Sequence, residues 1–172
     1  MPRNQPQPLP PAQLQSLLVH WVMVAGGQRM PRKEDFRVSS LEAWRDNVAI
    51  VSPEAQGQPR IYLFNKVGAA LDARFGRAMT LKTLGDLDSA RRIPLREFLA
   101  GARMECAPCV ARVTAPVTNV TWCDLVLPLY DGTMPGGRLI FASYPEGETV
   151  GDSRRAAEPQ SSCEAGENYA SL

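Results

Sequence analysis

Apolar residues recur at helical spacing near the start of the chain. In residues 11–25 they fall at i, i+3, i+4, i+7 and i+8, so they share one face of a predicted helix: Leu14, Leu17, Leu18, Trp21 and Val22. Gly26 and Gly27 end this helix. A second amphipathic helix is predicted over residues 93–104, with Pro94 at its first helical position. Its apolar side comprises Leu95, Phe98, Leu99 and Ala102.

Five other segments are rich in β-branched and aromatic residues or alternate between apolar and polar positions. They predict five strands, at residues 48–51, 60–67, 110–117, 120–129 and 138–144. The middle of the chain is predicted to contain helices at residues 69–75 and 93–104, with a loop that includes a helical turn at 80–87 between them. A further helical turn at 41–44 precedes the first strand. Since the strands cluster rather than alternate regularly with helices, the pattern predicts an α+β fold.

Composition and charge limit the binding partners and the cellular location that the sequence predicts. Of the 172 residues 44% are apolar, and 19 Lys and Arg face 18 Asp and Glu, for a net charge of +1. This balance argues against binding to nucleic acid or to acidic membranes, both of which require a positive excess. No apolar run reaches the roughly 20 residues of a membrane-spanning helix, and residues 1–11 lack the apolar centre of a secretory signal. The sequence predicts a cytoplasmic protein.

The two ends of the chain differ from the rest in composition. Residues 1–11 contain five prolines and predict an extended or disordered leader. Residues 146–172 are polar and small and predict a disordered tail. One domain is therefore expected, over residues 12–145.

The order of the predicted elements, two strands, a helical middle and three closing strands, is that of PAS domains. Two stretches carry the likeness further: Leu18 to Trp21 with Gly27, Arg29, Met30 and Pro31, and Phe64-Asn-Lys-Val-Gly-Ala-Ala-Leu71 running into Arg74-Phe-Gly-Arg77. Pro128-Leu129, followed by Gly137 and an apolar last strand, agrees with them. Over residues 12–145 the chain resembles a bacterial family of stand-alone PAS-like proteins.

This resemblance implies a five-stranded antiparallel sheet with helices covering one face, preceded by the N-terminal amphipathic helix. Sheet and middle helices would then enclose a small pocket suited to a small hydrophobic ligand. The expected lining is Leu63, Leu71, Phe75, Leu84, Phe98, Leu99, Val113, Leu125, Leu127 and Phe141. The alternative is that the same residues fill the core and leave no cavity.

Cys106 and Cys109 form a Cys-x-x-Cys pair that has three interpretations. It is a redox dithiol, or a zinc site completed by Cys123, His20 or Cys163, or two small apolar residues where a helix meets a strand. The sequence favours the third, because a helix C-terminus disfavours a thiolate and no second Cys-x-x-Cys is present. No metal or other cofactor is predicted.

Catalytic motifs are missing from the sequence. His20 is the one histidine and is predicted at a surface or an interface rather than as a haem ligand, and no Gly-x-Ser-x-Gly or phosphate-binding loop occurs. Asp86 and Asp88 are interpreted as solvated rather than cation-binding, and Arg91 and Arg92 as a solvated face rather than an anion site.

Together these observations predict a non-enzymatic PAS-like sensory or regulatory protein. It would bind a small molecule, dock on a signalling partner such as a sensor histidine kinase, or do both. Homodimerisation is a further expectation, through a stripe that packs either on the sheet or on a second copy: Leu14, Leu17, Leu18 and Trp21. The alternative function is a small redox or metal-binding protein that uses Cys106 and Cys109.

Overall fold

The computed structural model describes residues 10–54, 61–115 and 118–147. Most of the predicted leader and tail, the end of the third predicted strand and Cys163 lie outside these ranges. Within them the fold is α+β, and none of the helices is long and apolar enough to cross a lipid bilayer.

The described residues form three α-helices, two 3₁₀ helices and six strands. In chain order these are α1 (Ala12–Ala25), a long 3₁₀ helix (Val38–Asn47), β1 (Val48–Glu54), β2 (Ile61–Val67), α2 (Ala69–Phe75), β3 (Lys82–Thr83), a short 3₁₀ helix (Leu84–Asp86), α3 (Ser89–Glu105), β4 (Cys109–Thr114), β5 (Thr121–Leu129) and β6 (Arg138–Pro145).

All six strands belong to one antiparallel sheet, in the order β3-β2-β1-β6-β5-β4. The prediction of five strands is therefore wrong by one. β3 arises because Leu81 adopts a left-handed backbone (φ 60°) and its N–H donates to the carbonyl of Phe64 at 2.7 Å, which brings the next two residues alongside β2. A two-residue strand shows no alternation from which the sequence could predict it.

Helices cover both faces of the sheet. The middle helices α2 and α3 pack on one face, as the resemblance implied, and α1 with the long 3₁₀ helix packs on the other. We call the two resulting layers the α3-side core and the α1-side core. The first is built from Ala49, Val51, Tyr62, Phe64, Leu71, Phe75, Met79, Leu84, Leu87, Leu99, Ala102, Val126, Leu139 and Phe141. The second contains Leu14, Leu17, Trp21, Met30, Phe36, Leu41, Val48, Cys123, Leu125, Leu127, Leu129, Ile140, Ala142 and Tyr144.

The helix predicted over residues 93–104 begins four residues earlier, at Ser89. Asp88 caps it, since its carboxylate accepts a hydrogen bond from the N–H of Arg91 at 3.0 Å. Pro94 consequently lies inside α3 and not at its first position. The aspartate cap determines the start of this helix, and the helix tolerates the lost N–H of the proline one turn later.

Candidate functional site

The residues predicted to line a pocket do not share one face of the sheet. Five of them pack together in the α3-side core, where they are 0 to 6% exposed, namely Leu71, Phe75, Leu84, Leu99 and Phe141. Phe98 is partly buried against the same core. Leu125 and Leu127 instead lie in the α1-side core, Val113 is exposed, and Leu63 belongs to neither layer.

The strand register explains this division. Residues paired across antiparallel strands point to the same face, and Phe141 pairs with Val126. Leu125 pairs with Ala142 and so points to the opposite face, as does Leu127 two residues on. The sequence could not decide between the two sets, because β5 is buried on both sides and apolar at nearly every position.

A buried ion pair that the sequence did not reveal connects α2 to the sheet. The guanidinium of Arg74 binds the carboxylate of Asp124 with two hydrogen bonds, Nη1 to Oδ1 at 2.5 Å and Nη2 to Oδ2 at 3.1 Å. Both side chains are largely buried, at 13% and 5% exposure. The hydroxyl of Ser143 donates to Oδ1 of Asp124 at 2.7 Å and accepts from Nη1 of Arg74. Such charge-assisted, two-point contacts hold α2 in one orientation.

This polar network borders the α3-side core. Asp124 and Ser143 pair with each other, two residues from the pair Val126 and Phe141, so all four point to the same face. The Trp122 ring lies 4.9 Å from the guanidinium carbon of Arg74 and covers its charge. An aspartate in the middle of an otherwise apolar strand was the available sequence signal.

The paired cysteines occupy the junction between α3 and β4. Cys106 caps α3 in a left-handed conformation (φ 52°) and packs against the α1-side core, whereas Cys109 packs against the α3-side core. Burial raises the pKa of the Cys109 thiol above its ordinary value, and the Glu105 carboxylate raises it further. This environment does not favour the thiolate that redox chemistry requires.

Cys123 does not join this pair. It lies in the α1-side core, on the opposite face from Cys109, and burial is the main cause of the raised pKa of its thiol. His20 is half-buried between the rings of Phe36 and Trp44, at centroid distances of 5.2 and 5.6 Å. No group of three His, Cys, Asp or Glu residues within the described ranges is arranged to hold a metal ion.

The predicted stripe of α1 packs on the sheet of its own chain. Leu14, Leu17 and Trp21 are buried, and the indole N–H of Trp21 donates to the carbonyl of Pro128 at 3.0 Å. Leu18 is partly buried against the same core. Val22, predicted on this face, is instead exposed.

The outward face of α1 carries a different apolar stripe. Val19, Val22 and Met23 are 57%, 55% and 73% exposed, and their spacing of three and four residues makes them neighbours on the helix surface. α1 contains no Asp, Glu, Lys or Arg in its 14 residues. We call these three residues the outer stripe.

The acidic and basic residues near the start of α3 have structural partners. Asp86 forms a capping box with Thr83, whose backbone and side-chain hydrogen bonds lower the pKa of the Asp86 carboxyl, and Asp88 caps α3. Arg91 donates from Nη1 to the carbonyl of Phe75 at 2.8 Å and so connects α3 to the end of α2. Both aspartates are exposed, in agreement with their interpretation as solvated, and the structure adds these capping roles.

Two surface grooves lie away from the predicted pocket residues. One, of about 330 Å³, lies where the segment after α1 meets the end of α3 and the loop between β5 and β6. Its lining includes Arg29, Arg32 and Tyr130. The other, of about 290 Å³, lies between the long 3₁₀ helix and the start of α2.

Comparison with models of known protein families found no match, and a search of curated proteins found none either. The assignment of a function consequently depends on the geometry of this chain.

Proposed function

We propose that this chain is a non-enzymatic, PAS-like regulatory protein that forms a homodimer through α1 and acts on a signalling partner such as a sensor histidine kinase. The order of elements supports the proposal. Two long strands, a helical middle and a closing three-stranded meander form one antiparallel sheet, with the middle helices on one face. This order is similar to the one that the resemblance to PAS-like proteins implies, although the sheet has the additional strand β3 and helices also cover its second face.

In this proposal, the protein acts by docking on a partner protein rather than by binding a small hydrophobic ligand in its core. The five predicted lining residues of the α3-side core already contact one another and are 0 to 6% exposed. A hydrophobic ligand would have to displace well-packed side chains, and rearranging a core in this way costs about 1–3 kcal/mol. A partner protein can act on the same fold from outside without that cost.

β5 and β6 give the fold a route from one face to the other. On the α3 side, Asp124 of β5 and Ser143 of β6 hold Arg74 of α2. On the α1 side, the carbonyl of Pro128 in β5 accepts the hydrogen bond from Trp21 of α1. In this proposal, a shift of α2 is passed to α1 through these two connected strands, as a change of population between two packed arrangements.

The outer stripe of α1 is the single observation that carries the docking part of the proposal. Its three apolar residues are more than half exposed on a helix that has no charged residue. Two copies of such a helix meet without like-charge repulsion, and a two-fold axis makes the stripe its own complement. A second copy of this chain is therefore the occupant we assign to it.

The test compares the mass of the wild type in solution with that of Met23→Glu, by light scattering over a range of protein concentrations. We expect a wild-type dimer and a variant whose dimer dissociates at least about tenfold more readily, because the interface would bury an unpaired carboxylate. Met104→Glu is the matched control, since Met104 is 79% exposed on α3, away from the stripe. It should dimerise like the wild type.

A wild type that stays monomeric at every concentration would overturn the homodimer. Equal dissociation of the Met104→Glu variant would overturn the assignment to α1. Circular dichroism of all three proteins should give the same spectrum, since both substitutions lie at exposed positions of helices.

A further inference from the structure

The groove of about 330 Å³ at the end of α1 combines two arginines with an apolar wall. Arg29 and Arg32 line it together with Met30, Tyr130 and Pro135, and none of its lining residues is acidic. We propose that this groove binds a small anion that carries a carboxylate or phosphate group. This site is separate from the α3-side core and from the outer stripe of α1.

Arg29 neutralises the one negative feature of the groove. Its Nη2 donates to the backbone carbonyl of Glu105 at 2.8 Å, at the last residue of α3. The C-terminal end of a helix carries about half a negative charge. Arg29 therefore offsets the helix end and leaves the remaining positive charge of the groove available to a ligand.

Arg32 supplies a guanidinium that is not engaged elsewhere. Its side chain is exposed and has no hydrogen-bond or ion-pair partner among the described residues. Its backbone is fixed, since it forms a β-bridge with Tyr130 and its N–H donates to the carboxylate of Asp35 at 3.3 Å. A guanidinium on a fixed backbone binds a carboxylate or phosphate through two parallel N–H donors.

Arg103 adds a second unsatisfied charge beside the groove. It lies three residues before the lining residue Cys106 on α3, and its Nε and Nη1 are buried without a hydrogen-bond partner. Its Nη2 approaches the sulfur of Met134 at 3.0 Å, next to Pro135. Buried guanidinium N–H groups without acceptors are costly, and a nearby anion would lower that cost through its Coulomb attraction.

The neighbouring carboxylates do not compete for Arg32. The carboxylate of Asp131 accepts hydrogen bonds from Thr133 and Met134 in its own loop. Asp35 accepts the backbone N–H of Arg32, and Glu34 pairs with Lys33 at 3.7 Å. These carboxylates keep their negative charge, but within the described residues none of them forms an ion pair with Arg32, and the groove lining itself contains two arginines and no acidic residue.

The size of the groove and its apolar wall indicate how large the ligand is and that it has an apolar part. A volume of about 330 Å³ is at the lower end of the range for small-molecule sites. Met30 and Pro135 offer apolar contacts and Tyr130 offers a ring. The structure thus favours a small anion with a short apolar or aromatic body over a bare inorganic ion.

The experiment is a titration at low ionic strength, followed by the amide resonances of the protein. The probes are benzoate, phenyl phosphate and inorganic phosphate, with benzyl alcohol as the neutral counterpart. We expect benzoate, phenyl phosphate or both to shift the resonances of Arg32, Tyr130 and their neighbours more strongly than inorganic phosphate does. Benzyl alcohol should leave them unchanged, and the stronger of the two aromatic anions identifies the anionic group.

Arg32→Gln should weaken the binding of the better probe about tenfold or more, because it removes a charge-assisted contact. Arg37→Gln is the matched control, an exposed arginine five residues along the chain that does not line the groove, and should bind as the wild type does. Equal weakening by both variants would show attraction to general positive charge and overturn the site. The absence of saturable shifts with all three anions would also overturn it. Since the readout is ligand binding, neither result depends on whether the protein dimerises.

Discussion

Gly68, between β2 and α2, occupies a position where the surrounding backbone leaves no room for a side chain. Its backbone angles are ordinary (φ −79°), so it is not needed for a left-handed turn. A Cβ atom at this position would lie 2.1 Å from the carbonyl oxygen of Arg45 and 2.4 Å from that of Asp46. Real Cβ atoms do not approach backbone this closely, so α2 can meet the end of the long 3₁₀ helix only through a glycine.

We predict that Gly68→Ala lowers the free energy of unfolding by about 2–3 kcal/mol, because backbone atoms on both sides must move apart. Urea denaturation measures it. Gly101→Ala is the control, since Gly101 lies inside α3 and, apart from adjacent residues and the backbone of its own helix, no atom lies within 4 Å of an added Cβ. That substitution should raise stability by about 0.5–1 kcal/mol through helix propensity. A Gly68→Ala protein as stable as the wild type would contradict the predicted collision.

The sequence was least informative about which face of the sheet an individual residue of β5 points to. A shift of one position along β5 decides whether Leu125 or Val126 faces α3, and both are fully apolar. Alternation predicts a face only when one side of a strand meets water. β5 is a central strand covered by helices on both sides, so its pattern contains no such signal.

At the scale of elements, the ion pair between Arg74 and Asp124 determines how α2 lies on the sheet. α2 has only seven residues and two fully or nearly buried apolar side chains, Leu71 and Phe75. A helix this short has little stability of its own. The two-point contact from its last turn to β5 therefore contributes much of its orientation.

Arg74→Met should lower the free energy of unfolding by about 3 kcal/mol, because it leaves the Asp124 carboxylate buried without its cation. Adding Asp124→Leu in the same chain should restore most of that loss, since no buried charge remains. Arg45→Met provides the comparison: Arg45 pairs with Glu42 in water, and loss of an exposed pair costs less than about 1 kcal/mol. If the double variant were less stable than Arg74→Met, the buried charge would not be the cause.

The ends of the helices agree with the sequence-based prediction where a capping residue marks them. The bounds of α2 were predicted to the residue, because a glycine stands at each end of it. α3 extends further than predicted, since the Asp88 cap was a stronger start signal than Pro94. The outer stripe of α1 was missed because Val22 was assigned to the inner face, although it lies near the boundary between the two.

At the scale of the whole molecule, the α+β class and the five longer strands were predictable, because they depend on patterns several residues long. The coverage of both faces was not. Whether α1 packs on the sheet or on a second copy depends on which surface is free once the sheet has formed, and sequence spacing gives the same stripe in both cases. The groove that contains Arg29 and Arg32 joins three distant segments and had no local signature.

We predict that the free energy of unfolding decreases in alkaline solution because Tyr144 loses its proton. Burial, and then the charge of Asp46, raises the pKa of Tyr144 from 10.0 to about 12. Because the unfolded chain releases this proton at lower pH than the folded one, the stabilising contribution is complete below pH 10 and is lost as the pH rises to about 12. The loss approaches about 3 kcal/mol for a shift of this size.

Urea denaturation of the wild type and of Tyr144→Phe at a series of pH values measures this contribution. The difference in unfolding free energy between them should be constant at neutral pH and should change across the alkaline range. Other tyrosines and lysines titrate in both proteins and cancel in the difference. A constant difference throughout would contradict the raised pKa.

With helices over both faces, the sheet can be extended only at its margins. Among the described residues, β4 is the terminal strand on one side of the sheet, and Val110 and Val113 on it are exposed. Unpaired main-chain groups beside apolar side chains are where a foreign strand adds. Arg112, between these valines, forms an ion pair with Glu146, and such charged side chains on an edge strand hinder the addition of a further strand. We therefore expect an Arg112→Val variant to aggregate at lower protein concentration than the wild type does.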